Sequence, residues 1–269
     1  MLTQEFVRNA LLAGSAIALA SGLVGYFVVL RAQVFAGDAL SHVAFTGVLA
    51  AALAGIDLRL GLFAATIGLA LLFAALGDRV RVDDVAIGVV FAWVLGLGVL
   101  FLDLFNRGSG GSNGVIASRA LFGSIFSLTA GQTAVAVAIA AGISAALATI
   151  ARPLLFATIA PASATARGVP VGLLGAGFLV LLAIDAGEAT QAVGALLLLG
   201  LIAAPAGAAV RLTANPRLGL TLSALFGLAA VWAGITIAYL APSIPPSSAI
   251  VGVAVATYAA AFMLTARPN

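Results

Sequence analysis

The chain has 269 residues, 63% of them hydrophobic and 8% charged, with a mean hydropathy of +1.23. A soluble domain carries roughly 25% charged residues, so the composition excludes an ordinary soluble enzyme and implies a polytopic membrane protein. A net charge of +3 is too small to imply nucleic-acid binding, and the absence of cysteine excludes disulfides and thiolate metal sites.

Inside a bilayer the chain must satisfy its own backbone groups, which leaves helices and closed barrels. Long apolar runs without strict alternation select helices. The expectation is an all-α, multi-pass protein of 8–9 transmembrane helices, with residues 1–269 forming a single transmembrane domain. Met1–Arg8 contains Glu5 and lacks a basic region and cleavage site, so it reads as a short amphipathic segment on the membrane surface. Nine candidate spans follow, at 10–30, 39–56, 60–76, 85–102, 131–151, 169–186, 189–210, 218–240 and 247–266. In the first, Gly22 and Gly25 mark a close helix approach.

Asp78, Arg79, Arg81, Asp83 and Asp84 form a solvated break, with Asp83 and Asp84 placed to cap the fourth span. Gly108–Gly114 is a Gly/Ser-rich loop without the strand and lysine of a phosphate loop. The stretch 112–130 reads as a surface or re-entrant segment. After the fifth span, within the segment at about 157–168, Pro161 starts a short helix and Gly168 ends it, a connecting or docking helix. Asp185-Ala186-Gly187-Glu188 reads as a polar turn between spans six and seven. Its alternatives are an outer acidic entrance that concentrates cations and a docking contact for an external partner.

All twelve basic residues are arginine. With the N-terminus outside, Arg31, Arg79, Arg81, Arg152, Arg167, Arg211, Arg217 and Arg267 are cytoplasmic, against external Arg8, Arg59, Arg107 and Arg119. Basic residues favour the cytoplasmic side, so the reading is N-outside and C-inside.

The costliest feature is Gly37-Asp38-Ala39-Leu40-Ser41-His42, which holds the single histidine. An ionisable pair in an apolar span marks a functional site by default. On a helix, Asp38 and His42 lie one turn apart on one face. A carboxylate beside an imidazole suits a divalent transition-metal ion. The bland alternative makes Asp38 an N-cap and leaves His42 bonded to a carbonyl. Two ligands are too few for a closed structural site, whereas a passage site holds its ion weakly enough to release it. Walker, nucleophile-elbow and metalloprotease motifs are absent from the sequence, so the chain carries no evident means of hydrolysing ATP itself.

Taken in order, several fragments resemble the permease subunit of the metal-type ABC importers. Gly25-Tyr26-Phe27-Val28-Val29-Leu30-Arg31 followed by Gly37–His42 is similar to that family's most recognisable segment. Asp84-Val85-Ala86-Ile87-Gly88, Leu121-Phe122-Gly123 and Ala166-Arg167-Gly168-Val169-Pro170 resemble later landmarks. So do Val193-Gly194-Ala195-Leu196-Leu197 through Ala204-Pro205-Ala206, and Pro246-Ser247-Ser248-Ala249-Ile250.

The resemblance implies a homodimer in a bacterial cytoplasmic membrane, with a pore near its axis. A separate cytoplasmic ATP-binding subunit would hydrolyse ATP, and an extracellular or periplasmic metal-binding protein would deliver the ion. It implies that Asp38 and His42 act in the metal pathway and that the segment bearing Pro161, Ala166, Arg167 and Gly168 is the ATPase-coupling helix. The family's acidic positions in that segment read Ala160-Pro161-Ala162-Ser163 here, a departure from the pattern. The chain itself is then a transport subunit, not an enzyme, with no resident cofactor and a transported Mn, Zn or Fe ion. With one histidine, further pore ligands would be oxygen donors, which tilts the choice toward Mn or Fe(II) and leaves Zn open.

Two alternatives remain from the sequence. An ion-coupled secondary carrier would need no ATPase, and no inverted repeat is visible to favour it. A permease for chelated metal, of siderophore or cobalamin type, would need a wide pore without ion ligands, which the Asp38/His42 pair opposes. An intramembrane enzyme is least favoured, because one histidine and no cysteine leave too few reactive groups.

Overall fold

The computed structural model describes residues 4–77, 84–108 and 121–266. Asp78, Arg79, Arg81, Asp83, Arg119, Arg267 and most of the Gly108–Gly114 loop lie outside the described residues, as does much of the expected surface segment 112–130.

The described chain is helical: α1 (Glu5–Leu30), α2 (Val34–Ala54), α3 (Leu58–Gly77), α4 (Asp84–Gly108), a 3-10 turn (Ile125–Ser127), α5 (Ala130–Ile159), α6 (Pro161–Ala166), α7 (Val171–Val193), α8 (Leu198–Leu212), α9 (Pro216–Leu240) and α10 (Pro246–Thr265). Eight of these are long and apolar enough to cross a membrane. The exception besides the short α6 is α8, whose 15 residues rise about 22 Å, less than the roughly 30 Å of a bilayer core.

Side chains from the spanning helices place their ends. Phe6 stacks edge-on against Phe126 and Asn9 donates to the Leu128 carbonyl, so the start of α1 lies beside the approach to α5. Arg31, just past α1, reaches Thr158 near the end of α5. The helices therefore pass back and forth between two ends of one bundle. α1 and α2 are buried along most of their length and form its centre; α4, α5 and α10 are largely exposed. That exposure is apolar, as lipid requires.

Local signals explain several boundaries. Thr129 and Gln132 form a reciprocal capping box at α5. Asp57 caps α3 by accepting from the Arg59 and Leu60 amides at 2.9 and 3.2 Å. Pro161 occupies the first turn of α6, and Gly168 follows it with φ +79°, as its sequence position predicts.

Four expectations are corrected. Residues 5–8 are the first turns of α1, with Val7 fully buried, and not a separate surface segment. α5 runs through Pro153 to Ile159, eight residues beyond the expected end at 151. Asp38 sits inside α2, whose N-cap is Gln33, so it is not a cap. The turn expected at Asp185–Glu188 is uninterrupted helix: α7 continues to Val193, and the break falls at Gly194.

The break at Gly194 is tertiary in origin. Gly194 has φ +91° and packs against Gly123, whose φ is +70°. A Cβ on Gly194 would collide with the Leu121 carbonyl oxygen and the Phe122 and Gly123 backbone. Ser124 donates its amide to the Gln191 carbonyl and Leu196 to that of Leu121, both at 3.2 Å, which closes the crossing.

The three-residue link between α1 and α2 is tighter still. The amides of Ala32 and Gln33 donate to the Val29 and Val28 carbonyls at 3.1 and 2.9 Å, a Schellman closure. Its left-handed position, φ +54°, is held by Ala32 and not by glycine, at a cost of about 1 kcal/mol.

Candidate functional site

Asp38 and His42 project from one face of α2, with Asp38 Oδ1 and His42 Nε2 3.9 Å apart. This is too long for a hydrogen bond. A cation about 2.1 Å from each donor would bridge them after a small rotation of the side chains. Both side chains keep access to the chain's surface, at 24% and 14% exposure. The His42 ring leans on Phe91 of α4, centroid to centroid 5.1 Å, and Phe91 rests in turn against Phe35. Thr46, one turn beyond, donates to the Val94 carbonyl of α4 at 3.2 Å, fixing the wall behind the imidazole. Ser41 is fully buried and donates to the Asp38 carbonyl at 2.7 Å, so its hydroxyl is already engaged.

Among the described residues no group of three or more His, Asp, Glu or Cys side chains comes together. Asp38 and His42 therefore stand as two donor side chains on a partly open face, fewer than the four of a closed structural metal site.

Asp185 and Glu188 are elsewhere, buried within α7 at 2% and 3% exposure. Ser21 of α1 donates to Asp185 Oδ1 at 3.1 Å, while Oδ2 is buried without a hydrogen-bond partner. Glu188 lies 3.7 Å from the Arg59 guanidinium of α3 and accepts from Gln191 at 3.1 Å. Arg59 Nε also donates to Gln191 at 2.9 Å. The pair thus presents no surface funnel in this conformation; it anchors a polar network joining α1, α3 and α7. An open cavity of about 380 Å³ adjoins that network, lined by Asp57, Arg59, Ser124, Ser127, Gln132 and Gln191 among others.

Sequence reasoning did not assign Ser21, Arg59 or Gln191 to this network. The spacing 185, 188, 191 places three polar side chains on one helical face and was the available signal. Removing Arg59 alone strands a buried carboxylate, a loss of about 3 kcal/mol. We expect Arg59→Gln to lower the unfolding temperature of the detergent-solubilised protein and the Arg59→Gln/Glu188→Gln double variant to recover much of that loss. Equal unfolding temperatures for both variants would show that the pair is not coupled.

The Pro161, Ala166, Arg167 and Gly168 segment folds as the exposed helix α6, anchored by buried Ala164 and by Arg167 lying over the Phe156 ring at 5.6 Å. Its outer surface is small and uncharged until Arg167.

The described chain is an all-helical, multi-pass membrane protein with an exposed connecting helix and a carboxylate–imidazole pair in a spanning helix, and its relatives place it among transport permeases. The chain belongs to the ABC 3 transport family, whose model matches residues 3–265. It is 28% identical to "Manganese transport system membrane protein MntC" of Halalkalibacterium halodurans, covering 99% of this chain and 90% of that protein. It is 26% identical to the Haemophilus influenzae protein named "Probable iron transport system membrane protein", covering 87% and 85%. The structure titled "PsaBC from Streptococcus pneumoniae in complex with Fab" superposes with a TM-score of 0.84 at 26% identity, covering 97% of this chain and 92% of that one.

Proposed function

We propose that this chain is the membrane subunit of an ATP-driven importer for divalent transition-metal ions. The observation that carries the reading is the Asp38/His42 pair, two donors on an accessible face of a spanning helix, in a chain with relatives named for manganese and iron transport. Two copies of the chain related by a twofold axis bring two such pairs together, giving four donors of carboxylate and imidazole type. That set suits Mn²⁺, Fe²⁺ and Zn²⁺, and the absence of thiolate favours the harder two.

In this reading the N-terminus faces outward in a bacterial cytoplasmic membrane. The ion arrives from a binding protein at the end bearing Arg59 and Gln191, is held transiently by Asp38 and His42, and leaves at the end bearing α6. A separate ATP-binding subunit grips α6. Because that helix is small and neutral, the partner's groove should fit by shape, with charge confined to Arg167. A chelate carrier needs no ion ligands, and the pair argues against it.

The test is reconstitution of the chain with its ATPase and binding protein in proteoliposomes. ATP should drive accumulation of ⁵⁴Mn²⁺, and competition by Fe²⁺ and Zn²⁺ ranks the metals. Accumulation without any ATPase subunit would instead identify a secondary carrier.

A further inference from the structure

We propose that Arg31 is a positioning residue that mechanically joins the α5–α6 elbow to α2, so that movement of α6 is delivered to the Asp38/His42 pair. The proposal rests on the importer reading above and adds the route by which the cytoplasmic partner acts on the ion site.

Arg31 touches three elements at once. Its Nη1 donates to Thr158 Oγ1 at 3.3 Å, two residues before the Ala160 corner that opens α6. Its Nε donates to Gln33 Oε1 at 3.2 Å, and Gln33 is the N-cap of α2. Its guanidinium lies over the Phe178 ring of α7, 5.6 Å from the centroid. Thr158 completes the path by donating to the Leu154 carbonyl at 2.7 Å, so its hydroxyl is oriented as an acceptor for Arg31. Among the described residues Arg31 forms no ion pair. A half-buried cation held only by neutral groups is an uncommon investment, and a planar guanidinium suits several simultaneous directional contacts.

The rest of the link is built to transmit displacement. From Gln33 the path continues along rigid helix, through Gly37 seated near Leu182 of α7, to Asp38. The Schellman closure fixes Arg31, Ala32 and Gln33 relative to α1, and Ala32 holds a left-handed conformation that alanine disfavours. The comparable closures after α2 and α6 use Gly55 and Gly168 at that position. A β-carbon there leaves the link fewer alternative conformations than glycine would. Displacing Thr158 therefore moves Gln33 and the start of α2 rather than being absorbed in the link.

The experiment uses the complete transporter in proteoliposomes, with ATP hydrolysis and ⁵⁴Mn²⁺ uptake measured in the same vesicles for wild type, Arg31→Gln and Thr158→Val. Expected is ATP hydrolysis near the wild-type rate, with uptake per ATP reduced about tenfold in Arg31→Gln and about fivefold in Thr158→Val. Thr158→Val removes the hydroxyl at nearly constant volume, so it decides the matter if Arg31→Gln does not assemble. Wild-type uptake per ATP in Thr158→Val overturns the proposal and leaves the importer reading standing. Loss of hydrolysis in step with uptake also overturns it, since a purely structural residue gives that result. A wild-type complex that hydrolyses ATP without moving Mn²⁺, Fe²⁺ or Zn²⁺ removes the importer reading and this inference together.

Discussion

Replacing Asp38 or His42 with alanine is expected to cut ATP-driven metal uptake by at least about a hundredfold, since loss of even an outer-sphere partner of a metal ligand costs 10–100-fold. Under the dimer reading each substitution removes two of four donors. The same variants should fold and assemble normally. The two side chains are partly exposed, 3.9 Å apart and joined by no hydrogen bond, so their mutual contribution to stability is below about 1 kcal/mol. Asp38→Asn and His42→Gln retain size and polarity while weakening coordination, and should fall between alanine and wild type. Uptake assays alongside size-exclusion profiles check both halves of the prediction. Wild-type uptake by Asp38→Ala and His42→Ala would falsify the pathway assignment.

Substituting Gly25 with valine is expected to destabilise the bundle by about 3 kcal/mol or more, the upper range of overpacking. A Cβ at Gly25 runs into the Ile202 carbonyl oxygen of α8, which is backbone and cannot rotate away. A Cβ at Gly22, one turn earlier, would come within 2.6 Å of the Ala224 Cα of α9. These two glycines let α1 approach α8 and α9 closely enough for Ser223 to donate to the Gly22 carbonyl at 2.5 Å. Gly142 and Gly252 have open space around them, so alanine there should be nearly neutral or mildly stabilising to the helix. Thermal unfolding of these three variants in detergent separates packing glycines from compositional ones. A Gly25→Val protein with wild-type unfolding would refute the close-approach account.

Much of the fold is legible along the chain because the bilayer imposes a coarse rule. Apolar runs near 20 residues must be helices, and the spans at 10–30, 60–76, 218–240 and 247–266 match α1, α3, α9 and α10 within a few residues of most ends. The Asp38/His42 pair was legible for the same reason: an aspartate four residues before the lone histidine is conspicuous in an apolar segment. Gly22 and Gly25 were visible as small residues, although their partners were not. Pro153 misled because a proline ordinarily ends a helix, yet α5 continues through it.

What the sequence determined by itself is the membrane class, the approximate helices, the short helix at Pro161–Ala166 and the Asp38/His42 pair. Each follows from local chemistry: hydropathy, proline and glycine at helix ends, and the cost of ionisable groups in lipid. Tertiary structure alone decided that Asp185 and Glu188 are interior. Their charges do not break α7, because Ser21, Arg59 and Gln191 meet them from α1, α3 and the next turn. It also moved the break to Gly194, where a crossing with Gly123 excludes any side chain. A buried polar group is tolerated when partners meet it, and two of those partners, Ser21 and Arg59, lie more than a hundred residues away in the chain, beyond the reach of any local pattern.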